Sequence, residues 1–398
     1  MSIAHLFPDL HPAFTPQEAI VEANRCLFCY DAPCTAACPT HIDVPRFIKK
    51  IASSNLRGAA VTIFDANLLG ASCSRVCPVE VLCEGACVMH RYNREPIEIG
   101  RLQRRAMEAF RDSGDTELPE LPAPAKQLKV ACIGSGPASL SCAGELARRG
   151  HRVTVFEAKP LPGGLNTYGV AEYKLRTSDA LREVQFIESL GVEIRCNEAI
   201  DEGRLRQIGE EYDAVFLGLG LGRMDSLGIE REDDPIIIDA LKYIAKYKTE
   251  SEVKTGDKVV VIGAGNTAID AAAAARRLGA SEVTMLYRRT AADMSAFVFE
   301  YSHAKHEGVG FQWKVKPVRV VAAGLECIRI ETGETFTIEC DLIIPAIGQS
   351  KNTELLESVK GEAKFYAGGD LTNGGREVVD AVADGKRAAL KIIEENHA

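Results

Sequence analysis

Two hydrophobic periods follow one another along the chain. Up to about residue 111, apolar positions recur at mixed spacings of three and four, the helical period. The stretches from Thr15 to about Arg25, Val44 to Ile51, Leu56 to Asn67 and Pro96 to Arg111 read as helices. Thr15 followed by Pro16 is a helix start, with proline in the first turn. Residues 112–126 break both periods with three prolines and several acidic side chains, and read as an extended tether. Beyond it, short apolar runs alternate with glycine turns and helical stretches. Leu128–Ile133, Val153–Phe156, Ala214–Leu217, Val259–Ile262, Val283–Tyr287, Leu342–Gly348 and the run at Phe365 read as strands. That alternation predicts an α/β chain with parallel sheets. The expected order is a small helical domain (1–111), a linker (112–127) and two Rossmann-like dinucleotide-binding domains. The second of these (241–345) is nested in the first (128–240 and 346–398), and the strand at Leu342 returns the chain to the first.

The glycine turns give these strands a function. Strand Leu128–Ile133 runs into Gly134-Ser135-Gly136-Pro137-Ala138 and then a helix to Arg149, and strand Val153–Phe156 ends on Glu157. Gly134 permits the tight turn, Gly136 lets backbone approach a pyrophosphate, and the helix N-terminus faces the phosphates. Glu157 stands where an acid can bond a ribose hydroxyl. The second fingerprint is Gly263-Ala264-Gly265-Asn266-Thr267, and Arg288 and Arg289 stand at its ribose position. Arginine there can hold a 2′-phosphate and favours NADPH over NADH. Two such folds imply two dinucleotides: FAD in the first, the nicotinamide carrier in the second. The tail agrees, since the run at Phe365 leads into Gly368-Gly369-Asp370 and a helix from Glu377 to Glu394. Asp370 can bond the ribityl chain there.

The cysteines change the picture of the helical domain. Eight of thirteen lie before residue 90: Cys26, Cys29, Cys34 and Cys38, then Cys73, Cys77, Cys83 and Cys87. The x2/x4/x3 run with Pro39 behind it has the character of an iron–sulfur ligand set. Structural zinc, with its paired knuckles, is the main competitor, and disulfides fit poorly with a chain that lacks a secretory start. So dense a ligand set leaves few residues for an independent core, and the domain is expected to depend on metal to fold. The net charge of −9 argues against nucleic acid. No apolar run is long enough for a membrane span, and a cytoplasmic location is expected.

The motifs resemble a known family. Cys26 to Pro39, Gly163-Gly164-Leu165-Asn166 with Tyr173-Lys174-Leu175, and the Gly263 and Gly368 motifs are similar to the flavin–iron–sulfur module shared by the glutamate synthase small subunit and dihydropyrimidine dehydrogenase. The flavin subunit of the bacterial two-subunit dihydropyrimidine dehydrogenases resembles the chain most. The resemblance implies two 4Fe-4S clusters, one on Cys26, Cys29, Cys34 and Cys87, the other on Cys38, Cys77, Cys83 and Gln103. Cys73 has no part in either. It further implies cofactor contacts from Gly164, Leu165, Lys174, Gly348, Gly369, Asp370 and Val378. Ser295 stands where the dehydrogenase has a further arginine.

No acid–base constellation for a further substrate is evident, and none of the eight histidines is assigned a catalytic role. Hydride passage from nicotinamide to flavin needs orientation rather than a protein acid. The resulting expectation is an NAD(P)H-oxidising electron-transfer subunit. Its catalytic partner, an FMN/iron–sulfur protein in a hetero-oligomer, would reduce uracil or thymine. The alternatives are the glutamate synthase small subunit, a subunit of another oxidoreductase, and a flavin-binding redox sensor without turnover.

Overall fold

The computed structural model describes residues 3–250, 253 and 255–396. They form two compact units. One joins the residues up to Asp9 with Thr167–Thr177 and Gly222–Ser350; the other holds Leu10–Asn166, Ser178–Leu221 and the chain from Lys351 onward. In chain order the strands are β1 Lys129–Ile133, β2 Arg152–Phe156, β3 Val192–Arg195, β4 Ala214–Leu217, β5 Leu221–Met224, β6 Lys258–Ile262 and β7 Glu282–Tyr287. They continue with β8 Gly310–Trp313, β9 Val315–Val321, β10 Gly324–Arg329, β11 Thr335–Glu339, β12 Leu342–Pro345, β13 Gln349–Lys351 and β14 Phe365–Ala367.

The unit that begins at Leu10 carries a parallel sheet in the order β14-β4-β1-β2-β3. Its central strands are buried on both faces, which is why they read as unbroken apolar runs. Helix Pro137–Arg148 follows β1, and helix Val378–Asn396 follows β14. The two helices pack so closely that a Cβ on Gly385 would lie 2.0 Å from the Ala138 carbonyl oxygen.

The cysteine-rich region belongs to this same unit. Its first long helix, Pro16–Asn24, opens with a reciprocal cap: Glu18 N–H donates to Thr15 Oγ1 at 3.3 Å, and Thr15 N–H to Glu18 Oε2 at 2.8 Å. Helices Val44–Ala52, Leu56–Ala66 and Ile99–Asp112 follow, each close to its expected bounds. They bury Phe47, Ile48, Ile51, Ile63 and Leu102 in one core that continues into Val130, Leu146 and Ile392 of the dinucleotide fold. The core is not independent, as expected: the neighbouring sheet and helices supply apolar area that the region lacks.

The other unit carries a second parallel sheet, β12-β6-β7-β8, and an antiparallel sheet, β11-β10-β9. Strand β12 does not return the chain to the first sheet as expected. It pairs with β6, Leu342 opposite Val259, and Ala346 N–H donates to the Ile262 carbonyl at 2.7 Å. The chain rejoins the first sheet only at β14. The second fold is therefore nested, in sequence, between β4 and β14. Among the described residues, no helix is long and apolar enough to cross a membrane.

Replacing Gly385 by alanine should destabilise the chain by about 2 kcal/mol, since the new methyl must displace a backbone carbonyl. Gly203 in helix Glu202–Glu211 is the control: its Cβ would meet only Asp201 Oδ1, at 3.5 Å. Urea unfolding should show a lowered midpoint for Gly385→Ala and none for Gly203→Ala; equal effects would refute the close-packing argument.

Candidate cofactor and cluster sites

The first glycine loop is built for a backbone-hugging ligand. Gly134 has φ +86°, and a Cβ there would lie 2.7 Å from the Gly218 carbonyl oxygen. Gly136 precedes helix Pro137–Arg148, has no side-chain cap, and has open space where a Cβ would stand. Ser139 fills the third glycine position of the fingerprint. The close approach is preserved because the facing residue is Gly218, whose Cβ would sit 2.2 Å from Ser139 Oγ. Ser139 Oγ and Asn166 Oδ1 are buried without a protein partner, as expected in a cradle that completes its bonds with a polar cofactor. Gly164 joins the cradle: its Cβ would lie 2.7 Å from Gly136 Cα, and the next residue, Leu165, is exposed.

Glu157 is buried and holds the loop itself. Its Oε2 accepts from Ser135 N–H at 2.9 Å and Ser135 Oγ at 2.5 Å, and its Oε1 accepts from Lys159 N–H at 2.8 Å. Ser135 Oγ in turn accepts from Gly163 N–H at 3.0 Å, so one carboxylate fastens both glycine turns. Gly369, with φ +69°, brings its Cα to Ala138, and Asp384 Oδ2 accepts from Gly369 N–H at 3.1 Å. Asp370 is pushed above the ordinary carboxylate range, first by burial, then by the Asp384 and Asp380 carboxylates. Val378 opens the last helix, half-buried. Gly348, expected beside the flavin, lies in the other unit, where its carbonyl accepts from Asp225 N–H at 3.1 Å.

The second glycine loop repeats the design. Gly263 has φ +138° and abuts the Ala346 carbonyl oxygen, where a Cβ would lie 2.2 Å away. Gly265 precedes helix Asn266–Arg277. A returning loop lies against it. Ala296 N–H donates to the Ala264 carbonyl at 3.1 Å, and Phe297 N–H to Asn266 Oδ1 at 3.1 Å. Ser295 Oγ is 3.4 Å from where a Gly265 Cβ would stand. Thr267 is in the first turn of the helix. Arg288 and Arg289 follow β7 directly and are exposed, with no carboxylate in ion-pair range among the described residues. The nearest acid, Asp293, is tied to Thr290 N–H at 3.0 Å and Thr290 Oγ1 at 2.6 Å, which holds its carboxyl below the ordinary range.

The cysteines form two adjoining groups. Burial pushes Cys26 up, with Cys29 and Cys87 near it; Cys34 is pushed up to about 12 by burial, with Cys26 and Cys87 near it. Cys77 is pushed up by its contact with Cys73 and by burial, with Cys83 and Cys38 nearby. Cys83 is raised by burial, then by Glu84 and Cys38, and Cys34 of the first group is also near it. Among the described residues, no three donors converge as one small ion requires, whereas a four-iron cube keeps its thiolates farther apart. Glu22 sets the position of the first group: its Oε1 takes Arg25 at 2.6 Å and Glu98 N–H at 3.0 Å. Phe28, Ala32 and His41 hold positive φ in the first cysteine loop, local strain of the kind that accumulates at ligand sites.

Gln103 is buried on helix Ile99–Asp112, and its Nε2 donates to the Gly70 carbonyl at 2.7 Å. A carbonyl only accepts, so this bond uses the amide nitrogen and not the amide oxygen. Cys73 is buried and accepts from Asn67 Nδ2 at 3.3 Å.

Lys174 is held within the second unit by Asp270 and Glu300. Sequence reasoning missed those two acids, as it missed Asp384 and Glu183; all act across long sequence separations that no local pattern marks. Glu183, on helix Thr177–Ser189, is fully enclosed. Its Oε1 accepts from Ala71 N–H at 2.9 Å and Ser72 N–H at 3.1 Å, and its Oε2 bonds Ser72 Oγ. It caps helix Gly70–Val76, whose own N-cap, Leu69, has no capping side chain. That helix runs into Cys77.

Comparison with known proteins bears on these sites directly. The family described as dihydropyrimidine dehydrogenase domain II, 4Fe-4S cluster, matches residues 3–115, and that described as pyridine nucleotide-disulphide oxidoreductase matches residues 128–385. The NAD-dependent dihydropyrimidine dehydrogenase subunit PreT of Salmonella typhimurium is 33% identical over 96% of both chains, and that of Escherichia coli likewise. This chain belongs to the PreT family. It is an NAD(P)-dependent oxidoreductase with iron–sulfur, flavin and NAD(P) sites. The NADP(+)-dependent formate dehydrogenase subunit beta of Moorella thermoacetica is 32% identical over 91% of this chain and 59% of its own. Among solved structures, a 2-naphthoyl-CoA reductase covers 87% of this chain with a TM-score of 0.60 at 23% identity, over 52% of its own length. T. acidophilum thioredoxin reductase covers 68% with a TM-score of 0.55 at 19% identity, over 99% of its own length. Both show the fold.

Burial pushes Glu183 up to about 7, against its bonds to Ser72 and Ala71. The folded chain thus keeps a proton that the unfolded chain releases near pH 4.5. Stability from this group is fully present below that point, falls as pH rises to about 7, and is level above. Glu183→Gln does not titrate. Between pH 5 and 8 the stability difference should move about 2–3 kcal/mol in the variant's favour. Urea unfolding of the iron-loaded proteins reads it; a difference independent of pH would contradict the assignment.

Proposed function

We propose that the chain is the NAD(P)H-oxidising input subunit of a two-subunit dihydropyrimidine dehydrogenase. In this reading FAD occupies the Gly134 loop and a nicotinamide dinucleotide the Gly263 loop. One 4Fe-4S cluster is held by Cys26, Cys29, Cys34 and Cys87, the other by Cys38, Cys77, Cys83 and Gln103. The carrying observation is a pair of dinucleotide folds in one chain behind a cysteine-rich region that the 4Fe-4S family matches. When bound, FAD accepts hydride from the nicotinamide and the clusters pass electrons singly. The protein's part is to hold these groups. Gly134 and Gly136 admit the pyrophosphate to the start of helix Pro137–Arg148, Glu157 fixes that loop through Ser135, and Asp370 faces the flavin's ribityl chain. In this reading the acceptor is a partner subunit, an FMN/iron–sulfur protein that reduces uracil or thymine in the cytoplasm; the PreT relatives' names, dihydropyrimidine dehydrogenase subunit, support a partner of that enzyme class. The likeness to a formate dehydrogenase subunit supports a second reading, in which the same module serves another oxidoreductase.

The isolated chain should hold about one FAD and about eight irons, and should reduce artificial acceptors but not uracil. A Cys38→Ser variant, with cluster loss verified by iron analysis, should keep stopped-flow flavin reduction by NAD(P)H within about threefold and lose partner-coupled uracil turnover. Uracil consumption by the isolated chain, or normal coupled turnover in the variant, overturns the scheme.

Arg288 and Arg289 set the nicotinamide preference in this reading. Each charge-assisted bond to a 2′-phosphate contributes roughly 1.5–3 kcal/mol. Replacing both by serine should lower kcat/KM for NADPH at least about tenfold more than for NADH. Equal losses would mean that the guanidinium groups only face solvent.

A further inference from the structure

The segment Thr167–Thr177 interrupts the first dinucleotide fold in sequence, yet it packs within the second unit. Lys174 Nζ lies 2.6 Å from Asp270 Oδ1 and also pairs with Glu300, its side chain 10% exposed. Tyr173 Oη donates to the same Asp270 oxygen at 2.8 Å. Burial alone would lower the ammonium's pKa, but Asp270 and Glu300 outweigh it and hold it above the ordinary lysine value. The two acids belong to different helices, Asn266–Arg277 and Val298–His306. Both helices begin at the second glycine loop, where the Ala296–Ala264 and Phe297–Asn266 bonds join their leading residues. The spacing of this cradle is thus fixed by those bonds at the loop and by one cation behind it.

Two nearby cations among the described residues have partners of their own. Lys248 is held by Glu172 at 3.1 Å and the Leu175 carbonyl at 2.7 Å, and Arg277 by Glu307 at 2.7 Å. Without Lys174, two buried carboxylates would face each other behind the helix N-terminus that takes the dinucleotide's pyrophosphate.

We propose that Lys174 is a positioning residue for the nicotinamide dinucleotide, not a flavin contact: it clamps Asp270 to Glu300 and so sets the geometry of the 263–267 and 294–297 loops. This rests on the reading that the Gly263 loop binds NAD(P)H. The test uses the full, FAD- and iron-loaded chain. Binding of NAD+ and NADP+ is measured calorimetrically, and flavin reduction by NADH and NADPH by anaerobic stopped flow. Lys174→Met should raise both dissociation constants at least about tenfold and change the limiting reduction rate less than about threefold, with FAD content unchanged. Lys174→Arg should restore most of the affinity. In the double variant Lys174→Met/Glu300→Gln, removing one carboxylate should recover part of the loss. Unchanged dissociation constants in Lys174→Met, or a loss confined to FAD occupancy, overturn the proposal. Failure of the double variant to recover any affinity counts against the charge argument in the same way. A wild-type flavin that binds both nucleotides but is reduced by neither refutes the functional reading instead, while the binding comparison still decides the role of Lys174.

Discussion

A backbone carbonyl stands where the Cβ of Gly385 would be, and much of the larger unit follows from it. Helix Val378–Asn396 can lie directly on helix Pro137–Arg148 only because position 385 carries no side chain. With that helix in place, β14 completes the first sheet beside β4. Everything between β4 and β14 in sequence must then leave this sheet and come back, and the second dinucleotide fold is what fills the excursion. The same contact serves the site. Gly369 meets Ala138 at the start of the helix that follows the Gly134 loop, so closing the sheet also brings Asp370 toward that loop.

Beside short polar caps such as Thr15, carboxylates withdrawn from solvent do much of the local fastening in this unit. Glu157 holds Ser135, Glu183 holds Ala71 and Ser72, Asp384 holds Gly369, and Glu84 Oε1 accepts from Gly100 N–H at 2.9 Å at the start of helix Ile99–Asp112. A carboxylate bonded to backbone N–H groups is stronger than a neutral cap, but its burial opposes ionisation. The balance differs by site: Glu183 and Glu84 are both pushed up to about 7 by burial. Three of these contacts also fix loops, since the turns fastened by Glu157, Glu183 and Asp384 lie at a glycine loop or lead into a cysteine.

Strands and glycine turns were legible in the sequence because their causes are local. An apolar run closed by a glycine at positive φ, as at β1 and β6, has few alternatives, and β1, β4, β6 and β7 formed within a residue of expectation. The cysteine spacing pointed to iron–sulfur chemistry, which the 4Fe-4S family match over residues 3–115 supports, while the grouping of the ligands and the place of Gln103 came only from resemblance. Strand β12 was misplaced because a buried apolar run does not say which sheet it joins; pairing with β6 decided it. The bonds of Glu157 to its own glycine loop were not legible, nor were the partners of Lys174, Asp270 and Glu300, which lie about a hundred residues on. Contacts of that range depend on the tertiary fold, and hydrophobic periodicity is blind to them.

The helical region shows how cluster ligands can be mounted on a scaffold that has its own reasons to be ordered. Its aliphatic core is continuous with the dinucleotide fold, so those side chains are buried against apolar partners rather than against a cluster alone. The ligand loops differ. They carry thiols that burial pushes toward the neutral form, and positive-φ residues at Phe28, Ala32 and His41. Thiolate ligation must therefore displace protons, and the charge of iron offsets what burial opposes. Metal binding in this chain then acts on loops already anchored at both ends, by Glu22 with Arg25 on one side and by the Glu183-capped helix before Cys77 on the other. Rigid anchorage of that kind suits electron transfer, because a ligand set that moves little between oxidation states keeps the reorganisation of its surroundings small.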